Sequence, residues 1–268
     1  MVSGGVDLGI TGRPALVAAA SKGLGKACAT ALAEEGARVA ICARDRGALE
    51  STRDEIAEST GATVVAVAAD VSMEEGSTRF VREGSDALGG CEILVANAGG
   101  PPTGRFEELS DQDVRDALEL NFLSTTRMAR EALPLMRRAG YGRVVVISSL
   151  SVKQPIPGLI LSTSARAAAA GWARTLADEV GRDGITVNTV LPGRLLTDRI
   201  RVLDRDRAER SGRSEEEVRS QDEEAIPVGR IGDPRELGDV VAFLCSERAS
   251  YITGAFLQID GGMFRGLL

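Results

Sequence analysis

Ser149, Lys153, Ser162 and Arg166 put two hydroxyls and two cations into one short stretch of chain, a set that could hold and protonate an oxygen gaining negative charge. Lys153 lies four residues beyond Ser149, in the loop Ser151-Val-Lys-Gln-Pro155. A lysine reaches about 6 Å from its backbone, and partial burial beside Arg166 or a bound cofactor would lower its pKa into a useful range. The other reading of Lys153 is a solvated loop lysine. Ser162 is a poor acid because it is an aliphatic alcohol, and Arg166 donates hydrogen bonds but stays charged, so it cannot shuttle protons. The chain has no histidine, which excludes imidazole catalysis and histidine-ligated metals. Arginines number 29 against three lysines, Lys22, Lys26 and Lys153. Neither tyrosine is well placed: Tyr141 precedes the apolar run Arg143–Ser148 at its far end, and Tyr251 belongs to the C-terminal stretch.

A second constellation is the run Ala18-Ala-Ala-Ser-Lys-Gly23-Leu-Gly25. Glycine is needed where a strand turns tightly into a helix and a pyrophosphate must approach main-chain N–H groups. Gly23 and Gly25 supply two such positions, while Ala19 adds a methyl group at a third.

These residues need a frame, and the chain alternates short apolar runs with segments of helical periodicity. Pro14–Ala19, Arg38–Cys42, Thr63–Val67, Glu92–Ala96, Arg143–Ser148, Thr186–Leu191 and Ala255–Ile259 read as buried strands. The rhythm predicts an α/β protein: a Rossmann-type, doubly wound parallel sheet flanked by helices on both faces, in a single domain over residues 1–268. Ser110-Asp-Gln-Asp113 signals a helix start. The Ala/Gly-rich face of Ala165–Gly171 is expected to pack on the sheet or on another subunit, in a dimer or tetramer. An excursion at about 196–228 breaks the rhythm; Arg199–Glu224 holds seven basic and nine acidic residues. It reads as a solvated helical insert, a mobile lid over the substrate, or both.

Composition sets the outer bounds. The chain is 43% hydrophobic with only 3% aromatics, so the core must be aliphatic. A net charge of −7 offers no broad positive field for nucleic acid. The opening MVSGGVDLGITGR lacks the pattern of a signal peptide, and no apolar run approaches the ~20 residues of a membrane span. Cys28, Cys42, Cys91 and Cys245 are scattered in apolar settings and read as core thiols, with no metal site. The expectation is a soluble, cytoplasmic enzyme.

The order of these motifs resembles the short-chain dehydrogenase/reductase family, from Ala15 to Gly262. Ala18–Gly25 resembles its T-G-x-x-x-G-x-G fingerprint, Asn97-Ala98-Gly99 its N-A-G, Pro192-Gly193 its P-G turn, and Tyr251–Gly254 with Asp260–Gly262 its closing signature. The resemblance implies that Ala19, Ser21, Lys22, Gly23 and Leu24 line the cofactor turn. It also implies that Asp70 and Val71 hold the adenine, that Asn97, Ala98 and Gly99 flank the cofactor, and that Pro192, Gly193 and Thr197 meet the nicotinamide. The second strand ends in Ala43 rather than a carboxylate, with Arg44 beside it and Lys22 in the loop. Two cations and no carboxylate favour a 2′-phosphate and hence NADP(H), ordinary surface charges being the alternative.

In the same family a catalytic serine, which matches Ser149, is followed thirteen residues later by tyrosine and four residues after that by lysine. Counting from Ser149 gives Ser162 and Arg166. Asn121 matches the family's asparagine, which anchors a water. The chain thus resembles a divergent subgroup, similar to β-ketoacyl-carrier-protein reductases but lacking the tyrosine–lysine pair. The implied activity is NADP(H)-dependent oxidoreduction of a small-molecule carbonyl or alcohol, Ser149 polarising the oxygen and Lys153, or a water held by Ser162 and Asn121, giving the proton. A non-redox lyase or isomerase, and a catalytically silent NADP(H)-binding subunit, are the alternatives.

Overall fold

A computed structural model describes residues 6–267. Seven strands, β1 (Pro14–Val17), β2 (Arg38–Ala43), β3 (Val64–Ala68), β4 (Ile93–Ala96), β5 (Gly142–Ile147), β6 (Ile185–Pro192) and β7 (Phe256–Ile259), form one sheet in the order β3-β2-β1-β4-β5-β6-β7. Every neighbouring pair is parallel, so each strand is connected to the next through a crossover that covers a face. The first strand stops at Val17, two residues before the sequence pattern does. Ala18 still donates to the Val95 carbonyl, but Ala19 has already left the extended region.

Side chains of successive strand residues point to opposite faces, and two aliphatic layers result. Ala15 and Val17 face a layer made with α1 (Gly23–Glu34), α2 (Arg46–Thr60) and α9 (Pro234–Leu244), through Cys28, Leu32, Leu49, Ile56, Leu237 and Val241. Leu16 and Ala18 face the other layer, made with α3 (Glu74–Leu88), α5 (Ser124–Ala139) and α6 (Ile160–Val180), through Phe80, Leu88, Met128, Met136, Ala169 and Ala173. Fully burying a side chain of the Leu or Phe class contributes about 1.5–3 kcal/mol, which is how strands of four to eight residues are held. The small face of α6 lies on the sheet: Ala169 and Ala173 are buried with Val144, Val146 and Val187.

Two local features bear on the site. Ser110 and Asp113 cap α4 (Asp111–Leu118) reciprocally. Between α4 and α5 the helix widens into a π turn over Glu119–Leu123, which carries Asn121. After β6 the chain forms α7 (Asp198–Ser211) and α8 (Glu215–Ala225). This excursion is less solvated than its composition implies. Asp204 is buried and pairs with Arg194, which also pairs with Asp222 at 2.8 Å, and Asp222 pairs in turn with Arg207 at 2.9 Å. The ion pairs tie both helices to the end of β6. Among the described residues no helix is long and apolar enough to cross a membrane.

Candidate functional site

The chain runs outward from β1 to β3 and then returns to place β4 on the other side of β1, which opens a crevice at the carboxyl ends of these two strands. A cleft of about 850 Å³ lies there and extends to the ends of β5 and β6. Ala19, Ser21, Lys22, Gly23 and Leu24 line one end, with Arg44, Asp70, Val71, Asn97, Ala98 and Gly99; Pro192, Gly193 and Thr197 line it further on.

The turn at the first end is tightly built. Ala19 holds a left-handed conformation, φ +49°, unusual for a residue with a Cβ. Its carbonyl accepts from Asn97 Nδ2 at 3.2 Å and faces Gly25, where an added Cβ would stand 2.3 Å from that oxygen. Glycine at 25 therefore lets α1 start against the turn. The N-cap of α1, Lys22, makes no side-chain cap, and no acidic residue occupies the first turn. The helix thus presents uncapped N–H groups and the positive end of its dipole to the cleft, a geometry that suits an anion such as a pyrophosphate.

Two cations flank this turn. Arg44 is exposed, and Lys22, three-quarters exposed, stands 3.8 Å from Asp198. The adjacent carboxylate, Asp45, is occupied in capping α2 through the Ala48 amide. Asp70 is held by the amide and hydroxyl of Ser72 at 3.0 and 2.7 Å.

At the other end, Ser149, Ser162 and Arg166 all line the cleft. Ser149 lies two residues past the end of β5 and accepts from the Ser151 amide at 3.1 Å. Ser162 lies one turn before Arg166 on α6 and accepts from its Nε at 3.2 Å. Each hydroxyl keeps its own proton to donate to an oxygen in the cleft.

Arg166 Nη1 donates to the carbonyls of Ile147 and Ser148 at 2.8 and 3.2 Å, and Nη2 to those of Ala98 and Gly99 at 3.4 and 3.3 Å. The guanidinium clamps the ends of β4 and β5 together. Burial, and secondarily the charge of Arg199, push its pKa down to about 10. It remains a cation at neutral pH.

Asn121 and Lys153 stand differently from the sequence expectation. Asn121 is buried behind the cleft floor, donates to the Gly99 carbonyl at 2.9 Å, and leaves Oδ1 buried without a partner among the described residues. Lys153 does not line the cleft. The short helical turn Leu150–Val152 rotates its side chain toward β7, where Nζ is 2.8 Å from the Gln258 amide oxygen, oriented so that its nitrogen donates to Phe256, and 5.3 Å from the Phe264 ring centre. Lys153 is therefore corrected from a cleft acid to a brace between this loop and the C-terminal segment. Neither tyrosine replaces it. The Tyr141 hydroxyl donates to the Cys245 carbonyl at 2.7 Å, and burial pushes its pKa up to about 12; Tyr251 is fully exposed.

The sequence offered the excursion as a lid over the substrate but not the residues with which α7 walls the cleft. Ile200, Leu203, Arg207 and Arg210 recur at helical spacing along the cleft, with Arg199 and Asp206 beside them. The inner face of the excursion follows from the helix phase set by Thr197, which caps α7 at the Ile200 amide.

A family profile described as enoyl-(acyl carrier protein) reductase matches residues 18–264. The chain is 34% identical over 257 residues to the 3-oxoacyl-(acyl-carrier-protein) reductase FabG of Vibrio cholerae serotype O1, covering 96% of this chain and 99% of that one. It is 32% identical over 253 residues to the glucose 1-dehydrogenase of Gluconobacter oxydans, covering 94% and 92%. The crystal structure of L-sorbose reductase from Gluconobacter frateurii, complexed with NADPH and L-sorbose, superposes with a TM-score of 0.93 at 33% identity, over 98% of this chain and 100% of that one.

Proposed function

The chain belongs to the short-chain dehydrogenase/reductase family of oxidoreductases, and on that footing we propose that it interconverts a carbonyl and an alcohol with NADP(H), at a site where Ser162 and Arg166 stand in for the family's tyrosine and lysine. The observation that carries this reading is the continuity of one cleft from the uncapped start of α1 to the Ser149–Ser162–Arg166 group. The similar L-sorbose reductase was crystallised with NADPH, which supports the same cofactor here.

The residues present fit that cofactor. The N–H groups of α1 would receive the pyrophosphate, Lys22 and Arg44 the 2′-phosphate, and Asp70 the adenine end. When bound, NADPH supplies a hydride to the carbonyl carbon. The protein's part is to hold the oxygen. Ser149 and Ser162 donate hydrogen bonds to it, and Arg166, whose N–H groups are already engaged by the clamp, adds a fixed positive charge. The proton comes from water, because no side chain at this end of the cleft is a suitable acid. The orphaned Oδ1 of Asn121, beside the Gly99 carbonyl its amide holds, is an open acceptor that would anchor a further water behind the cleft.

Titrating the purified protein with NADPH by fluorescence, then assaying a panel of aldehydes and ketones, tests the reading. Binding with turnover is expected; absence of NADPH binding overturns it. The turn of Lys153 away from the cleft favours one second reading, a silent NADP(H)-binding subunit, which tight binding without turnover on the panel would support. The double substitution Ser162→Tyr with Arg166→Lys is expected to raise ketone reduction, since it restores the family's acid.

A further inference from the structure

We propose that the substrate is an oxo or hydroxy acid whose carboxylate is received by Arg199; the proposal rests on the reading that this cleft takes NADP(H) and a carbonyl compound. Charge in the cleft is the starting point. The whole chain carries −7, yet Lys22, Arg44, Arg166, Arg194, Arg199, Arg207 and Arg210 line this one cavity against Asp45, Asp70, Asp198 and Asp206. At the α1 end, Lys22 and Arg44 answer to the phosphates of the cofactor.

The cations at the reacting end differ in what they have left to give. Arg194 and Arg207 are neutralised by Asp204 and Asp222. Arg166 has no carboxylate partner, and its hydrogen bonds all go to the Ser162 hydroxyl and four main-chain carbonyls, so it offers field and no hydrogen bond. Arg199 is also without a carboxylate partner among the described residues. It spends one N–H, from Nη2 to the Pro101 carbonyl at 2.8 Å, and its Nε lies over Gly100, 3.2 Å from where a Cβ would stand. The two guanidiniums thus grip neighbouring carbonyls of one loop, Ala98, Gly99 and Pro101, and no carboxylate among the described residues pairs with either. Their mutual repulsion reaches Arg166, whose titration feels Arg199.

A carboxylate placed on the free edge of Arg199 relieves that repulsion and gains charge-assisted hydrogen bonds. The geometry then sets the rest of the molecule. Ser149 and Ser162 hold the reacting oxygen, and Ile156, Leu203 and Met263 offer an apolar wall for a short hydrocarbon portion. Arg210, exposed on α7, adds to the attraction from further out.

The test uses 4-methyl-2-oxopentanoate and its methyl ester as a matched pair, titrated calorimetrically into the protein with and without NADPH. The free acid is expected to bind at least ten-fold more tightly than the ester, with a preference that shrinks as salt is raised. Arg199→Gln is expected to abolish the preference and leave the NADPH affinity unchanged, while Arg199→Lys retains part of it; circular dichroism verifies that both variants fold. An ester that binds as tightly as the acid, or an acid that does not bind at all, overturns the proposal. So does an Arg199→Gln variant that loses NADPH affinity and keeps its acid-to-ester ratio, because the anion at Arg199 is then the cofactor's own pyrophosphate. A preference for the acid that persists where NADPH itself fails to bind supports the anion site and removes the oxidoreductase reading.

Discussion

Arg166 Nε donates to Ser162 Oγ at 3.2 Å across one turn of α6, while the rest of the guanidinium joins the ends of β4 and β5. One side chain therefore supplies charge to the candidate site and closes the sheet beneath it. Arg166→Met leaves the carbonyls of Ile147, Ser148, Ala98 and Gly99 short of donors, and it is expected to cost about 2–4 kcal/mol of stability. Arg166→Lys is expected to fall between Met and the native residue, because an ammonium cannot span both strand ends. Urea denaturation midpoints check the order.

Lys153→Met is expected to change kcat less than two-fold, because its ammonium is engaged with Gln258 outside the cleft. A kcat lowered by ten-fold or more would return Lys153 to the reaction. Ser149→Ala, by contrast, removes a donor to the developing oxyanion and is expected to lower kcat about 100-fold with little change in NADPH affinity.

The sequence made the strands easy to read and Lys153 hard. Val144–Ile147 is buried on both faces and appears as an unbroken apolar run whatever surrounds it, while Thr186–Leu191, equally buried, is marked by β-branched residues and leucine around Asn188. Gly23 and Gly25 were legible for a similar reason: a steric requirement leaves few residue choices. The direction of Lys153 depends on a single helical turn after β5, and a spacing of four residues from Ser149 carries no information about that rotation. Arg199 was hidden in the opposite way. Charges were plentiful in its neighbourhood, and only the packing of α7 and α8 through Asp204 and Asp222 distinguishes those that are neutralised from those that face the cleft.

Ala19→Gly is expected to stabilise the protein by about 1 kcal/mol at most, because only a Cβ makes φ +49° costly, and glycine's extra freedom in the unfolded chain offsets part of the gain. The melting temperature is expected to rise by about 2–4 °C at most. Gly25→Ala is expected to do the reverse and to weaken NADPH binding, since the new methyl group would force α1 away from the Ala19 carbonyl. Differential scanning fluorimetry with and without NADPH separates the two effects.

The pH profile of carbonyl reduction is expected to be flat from about pH 6 to pH 9. There is no histidine, burial holds Tyr141 at about 12, and Arg166 keeps its proton until about 10. Because the folded pKa of Arg166 is depressed, its charge is present throughout that window and is lost only as pH rises through about 10, where kcat/KM is expected to fall. A rate that doubles or halves sharply near pH 7 would point to a titrating acid that this arrangement lacks.

All four cysteines are buried, and burial pushes each thiol upward. The native protein is expected to leave them unreacted with a disulfide reagent at pH 8, and all four are expected to react in denaturant. NADPH should make no difference, even for Cys42, which lies against the cleft.

The π turn at Glu119–Leu123 is a phase shifter. A residue advances an α-helix by about 100°, and a wide turn takes up one residue more than the regular spiral would. Upstream of it, Ala117 meets Leu161 and Ala165; downstream, Met128, Ala132 and Met136 lie under the sheet. Both apolar stripes face inward only because the slack falls between them. Removing one residue here would turn the whole of α5 by more than a quarter of a circle, and its methionines would point at water. The length of this helix is thus fixed to the residue at one place, and the buried Asn121 sits at that place.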